Sequence, residues 1–172
     1  MRRYVDAADL STQTDTETLL ATLALGVEPF TIPPDMTTTP DGDVVVICGP
    51  KSAPIGAALM ESDPRLGMVR ENGRWWVLDK ASGERFGSPL VNDPPEPADL
   101  GYLSRRRDGD RVIVHVAGIR SPGSRAVLHY LAHHLPELRR TVADDSFSLV
   151  VRGELDDLTV TKSAVIVGPH VW

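Results

Sequence analysis

The 172 residues carry a formal net charge of −6, with 41% hydrophobic and 24% charged residues. That is a globular composition, long enough for one domain over residues 1–172 with its own core. The acidic balance excludes nucleic acid as the main partner, because duplex binding needs a basic footprint. No apolar run approaches the ~20 residues of a membrane span, so no membrane partner is expected. One cysteine, Cys48, leaves no intrachain disulfide. No apolar run follows Arg2-Arg3, so neither a secretory nor a twin-arginine leader is read, and a cytoplasmic location is expected.

From the N-terminus, Arg3 to Leu10 reads as a short strand and Ser11 to Glu17 as a polar loop. Thr14 and Glu17 have capping-box spacing for a following helix with Leu19, Leu20, Leu23 and Leu25, ending at Gly26. Glu28 to Ile32 is apolar enough for another short strand before Pro33-Pro34, and Met36 to Gly42 is a linker. Val44 to Cys48 is continuously apolar and reads as a central parallel strand buried on both faces. It feeds a short helix that ends before Asp63-Pro64.

An antiparallel meander follows. Met68 to Glu71 turns at Asn72-Gly73, the preferred two-residue hairpin pair, into Arg74 to Asp79, and Ala81-Ser82-Gly83 leads into Glu84 to Ser88. Pro89 to Ala98, with four prolines, reads as an ordered crossing loop or a lid. Leu100 to Arg106 and Arg111 to Gly118 form a hairpin, and the second strand opens a long helix that stops near Thr141. Phe147 to Leu155 and Leu158 to Val167 close the domain as a strand pair. The fold class expected is therefore α/β: a three-layer Rossmann-like domain with a mixed sheet, parallel core strands and antiparallel extensions.

Two segments share one build: β-branched run, small-residue loop with one cation, helix. They are Val44 to Met60 and Val112 to Leu138. In parallel α/β sheets such loops gather at one sheet edge and form anion or nucleotide sites. By that rule Ser11–Thr16, Gly49–Pro54 and Gly118–Ser124 converge. The candidate ligand contacts are Gly49, Lys51, Ser52, Gly118, Arg120, Ser121, Gly123 and Ser124, with the glycines admitting close backbone approach. The same residues are also ordinary capping and turn chemistry. Neither loop matches the phosphate-binding P-loop or Gly-x-Gly-x-x-Gly. Asp15 and Glu17 stand at the mouth of this presumed cleft as acid/base candidates.

His129 and His133 have metal-pair spacing, but the zinc-protease Glu is replaced by Tyr130, so no metal and no cofactor is expected. Trp75 and Trp76 face opposite sides of the meander, one for the core and one for edge packing or an aromatic platform. Arg105-Arg106-Arg107 with Arg111 reads as a solvated basic turn.

Val46-Ile47-Cys48-Gly49-Pro50-Lys51-Ser52 and Ala117-Gly118-Ile119-Arg120-Ser121-Pro122-Gly123-Ser124, with Ser88-Pro89 and Phe147-Ser148, resemble an uncharacterised domain of actinobacterial proteins. That domain occurs in longer regulatory or conflict-related proteins and has no established activity. The resemblance covers Asp15 to about Val151 and implies a sensor module cut from a longer chain. The function expected is a regulatory or sensor domain that takes a nucleotide-like or other phosphorylated small molecule at the converging loops, with other domains of a longer protein as further partners. The alternatives are an enzyme on nucleotides or nucleosides using Asp15 or Glu17, and a ligand-free protein-interaction scaffold.

Overall fold

The computed structural model describes residues 7–157 and 159–172, with side chains from Ser11 onward. In chain order it contains α1 (Ala7–Thr22), β1 (Val44–Ile47), α2 (Pro54–Glu61), β2 (Leu66–Glu71), β3 (Arg74–Asp79), β4 (Arg85–Gly87), β5 (Ala98–Asp108), β6 (Arg111–Gly118), α3 (Ser121–Val142), β7 (Phe147–Asp156) and β8 (Thr159–Val171). The expected elements from α2 onward are present, including the turn at Asn72-Gly73, where both residues take positive φ.

Strands β1-β6-β5-β7-β8, in that spatial order, make a five-stranded sheet, and β2-β3-β4 make a separate three-stranded one. The α/β class and the mixed sheet stand. Parallel core strands do not: β1–β6 is the parallel pair, and every other pairing is antiparallel. β1 is an edge strand, with Val46 alone of its four residues buried. Its uninterrupted apolar run misleads because an edge strand beneath covering elements needs as few polar positions as a central one.

The N-terminal expectations also change. The Ser11–Glu17 loop is the middle of α1, where Thr16 and Thr18 hydroxyls donate to carbonyls one turn back, Thr12 O and Thr14 O. Such back-bonding satisfies the hydroxyls within the helix without adding to its stability. Of the expected strand at 3–10, residues 3–6 lie outside the described residues and 7–10 are helical. Glu28–Ile32 belongs to no helix or strand.

The five-stranded sheet buries both faces. On one, α3 packs against Leu103, Val116, Leu149 and Val151 through Ala126, Val127, Leu138 and Val142. α1 lies against α3. On the other, Leu100, Tyr102, Ala117 and Val150 meet Met60 of α2 and Leu66 and Val77 of the meander. The first turn of α3 rests on β5 backbone to backbone. A Cβ on Gly101 would lie 2.0 Å from Gly123 O, and one on Gly123 would lie 2.1 Å from Leu100 O. Helix ends are closed by distant cations. Lys80 Nζ donates to the carbonyls of Met60, Glu61 and Asp63 after α2, and Arg105 donates to Ala143 O and Asp145 O after α3. Among the described residues no helix is long and apolar enough to cross a membrane.

Candidate functional site

The β1–α2 and β6–α3 loops are neighbours, because β1 and β6 pair in parallel and each opens a helix at the same sheet edge. Lys51 Nζ donates to Ile119 O at 3.1 Å, which ties one loop to the other. The third expected loop is absent from this edge as a loop. Its Asp15 forms an ion pair with Arg125 at 3.1 Å, and Glu17 accepts from Gln13 one turn away at 2.8 Å.

The backbone donors at this corner are turned inward. The amides of Arg120 and Gly123 donate to Asp99 Oδ2 at 3.1 and 2.8 Å, so an internal carboxylate occupies the N-terminus of α3. Asp99 is fully buried. Burial raises its pKa, while the amides of Leu100, Gly123 and Arg120 pull it back down. At α2 the amides of Ser52 and Ala53 donate to Gly49 O. The glycines expected to admit a ligand admit protein instead. A Cβ on Gly118 would meet Arg120 O at 2.0 Å, and one on Gly123 would meet Leu100 O. Gly49 is buried beside Ala117, and a Cβ on Gly56 would reach its carbonyl at 2.8 Å. Lys51, Ser52 and Arg120 are exposed, Ser121 is half-buried and Ser124 is buried. The corner is thus a self-satisfied joint with two cations on its outer surface.

The other candidates have structural partners. His129 Nδ1 lies 2.8 Å from Ser163 Oγ, and His133 Nδ1 donates to His129 O at 2.7 Å. Among the described residues no three His, Cys, Asp or Glu side chains group as for a metal. Trp75 packs into the meander-side core, and Trp76 covers Gly87, where a Cβ would meet its ring at 2.7 Å. The basic turn is stapled down: Arg106 donates to Ser62 Oγ at 2.7 Å, Arg107 pairs with Asp144, and Arg111 holds Asp108, Thr39 and Pro40.

A second polar constellation lies on the meander-side face, and the sequence reading passed over it. Cross-strand register places His115, Ser104, Ser148 and His170 in one row across β6, β5, β7 and β8. Asp63, on the loop after α2, accepts the Tyr102 hydroxyl at 2.7 Å and the amides of Arg65 and Leu66 at 2.7 and 3.0 Å. His115 Nε2 lies 2.7 Å from Cys48 O, and burial lowers the pKa of this imidazole to about 4. Burial likewise raises the Tyr102 phenol well above its ordinary value. The signal available was a polar residue at an inward position of an otherwise apolar strand: His115 between Val114 and Val116, Ser148 between Phe147 and Leu149.

No family model, no curated protein and no solved structure matches this chain.

Proposed function

We propose that this domain is a binding module that docks onto another polypeptide through the segment after α1. One observation carries the reading. Leu23, Leu25, Val27 and Phe30 are 44%, 54%, 46% and 61% exposed. From Gly26 to Ile32 the chain belongs to no helix or strand, and among the described residues its backbone makes no hydrogen bond. Four closely spaced exposed apolar side chains, the last two on backbone outside any hydrogen-bonded element, are suited to strand addition or groove docking. The test is site-specific photocrosslinking in cells from positions 25 and 30. A discrete polypeptide adduct that disappears on Leu23→Asp/Val27→Asp is the expected outcome. Absence of any discrete adduct overturns the reading.

A second reading, a sensor for a nucleotide-like or other phosphorylated small molecule, is supported by Lys51 and Arg120 lying on one corner. Such a ligand would meet Lys51, Ser52, Arg120 and Ser121 from outside and compete with Asp99 for the amides of Arg120 and Gly123. A thermal-shift panel of nucleotides tests it. Ligand at 100 times its dissociation constant adds about 2.7 kcal/mol, and Lys51→Ala with Arg120→Ala removes that gain.

A further inference from the structure

One face of α3 carries two imidazoles that are held in place rather than loose on the surface. His129 and His133 stand four residues apart on the helix, which puts their Cβ atoms about 6 Å apart on one face. His129 is half-buried and His133 is exposed. Their rings stack, with centroids 4.3 Å apart and 27° between the planes. Each ring is fixed through Nδ1, and by a different element. His133 Nδ1 donates to His129 O at 2.7 Å, within the helix. His129 Nδ1 lies 2.8 Å from Ser163 Oγ, on β8. Among the described residues no hydrogen bond engages Nε2 of either ring.

These bonds set the tautomers. A carbonyl only accepts, so neutral His133 keeps its proton on Nδ1 and carries a bare lone pair on Nε2. A hydroxyl accepts as readily as it donates, so Ser163 lets His129 take the same tautomer. Metal-binding histidines are held in this way, with the far ring nitrogen bonded to an oxygen that fixes both the tautomer and the ring direction. His134 provides the contrast on the same helix. It stacks on Tyr130 with centroids 5.0 Å apart, and its Nδ1 lies 3.7 Å from Glu137, so its ring belongs to a different pair. Tyr130 in place of the zinc-protease glutamate removes that general base and leaves the two ligand positions intact.

We propose that His129 and His133 chelate one imidazole-seeking divalent ion, of the zinc, nickel or copper class, through their Nε2 atoms. Two bonds of about 2.0–2.1 Å at a tetrahedral angle put the nitrogens about 3.3 Å apart, a separation that rings stacked at 4.3 Å reach by small rotations. Among the described residues no third His, Cys, Asp or Glu joins them. The remaining positions therefore go to water or to a donor from another molecule, and the ion is exchangeable rather than a structural clasp. The test is an NMR titration of the isotope-labelled chain with Zn²⁺, with Mg²⁺ as the oxygen-seeking control. Zn²⁺ shifts the ring resonances of His129 and His133 together and saturates by about millimolar ion, and Mg²⁺ leaves them fixed. His129→Gln and His133→Gln each weaken Zn²⁺ binding by at least about tenfold. The double variant adds little to either loss, because a chelate goes with either arm. His134→Gln leaves the affinity within about threefold. His133 is exposed, so its variant keeps the fold. Ring resonances that stay fixed to millimolar Zn²⁺, an equal response to Mg²⁺, indifference to His133→Gln, or an equal loss in His134→Gln overturns the proposal.

Discussion

The two faces of the five-stranded sheet are built on opposite principles. The α3 face is dry. Leu103, Val116, Leu149 and Val151 meet Ala126, Val127 and Leu138, and α3 approaches closely enough at Gly101 and Gly123 for backbone to touch backbone. The meander face mixes apolar residues with a polar row that is only partly satisfied. The difference teaches that, Asp99 apart, apolar burial and buried polar side chains are divided between the two faces of one sheet. The α3 face supplies hydrophobic burial, and the meander face gives up some of it to hold Asp63, Tyr102 and His115 inside.

Substitutions on the dry face break the comparison most strongly. Gly101→Ala places a methyl 2.0 Å from Gly123 O, so α3 must lift from β5; a loss of about 3 kcal/mol or more is expected in urea unfolding. Leu149→Ala removes a fully buried side chain from the same face and costs about 3 kcal/mol, in the range for buried Leu→Ala.

Acid acts on the other face. His115 is held neutral, at about 4 against 6.5 when unfolded. Above pH 6.5 both states are neutral. Between pH 6.5 and 4 the unfolded chain takes up the proton first, so stability falls with pH, by about 3 kcal/mol at most, and levels off below pH 4. Asp99, whose pKa is raised, opposes this near the bottom of the window, because there the folded state is the one that binds a proton. Unfolding of wild type and His115→Gln across pH 4–7 checks it; the slope between 6.5 and 4 is shallower in the variant.

Smaller effects sharpen the picture. Asp99→Ala orphans the amide of Arg120 and leaves that of Gly123 only Arg120 O and costs about 2 kcal/mol, whereas Asp99→Asn, which keeps an acceptor, costs less. Leu25→Asp, in the exposed segment after α1, changes stability by less than about 0.5 kcal/mol while removing polypeptide docking. A large loss of stability there would mean the segment belongs to the core.

From α2 onward the order of elements was legible because its cues are local. Asn72-Gly73 specifies a turn, Pro64 stops a helix, and alternating burial marks strands. Sheet order is not local. Nothing in Val44–Ile47 itself tells an edge from a centre, and that depends on where β5 and β7 pair. The threonine-rich middle of α1, Ser11–Glu17, reads as loop because threonine is a poor helix former and the packing of α1 against α3 is not visible in hydrophobic periodicity. The site followed the same division. The adjacency of the Lys51 and Arg120 loops was foreseeable from two matching strand–loop–helix units. That Asp99 would fill the helix terminus was not, since it arrives from β5. The polar row exists only through cross-strand register, which joins residues as far apart in sequence as Ser104 and His170.

Lys80 carries one more implication, for the order in which the chain acquires its shape. The eight residues of α2 are too few to hold a helix alone in water, and the carbonyls at its end are tied off by an ammonium on the far side of the β2–β3 hairpin. Helix and hairpin therefore form and melt as a single cooperative unit, and amide exchange in Ile55–Met60 should track that of β2 and β3 rather than that of α3.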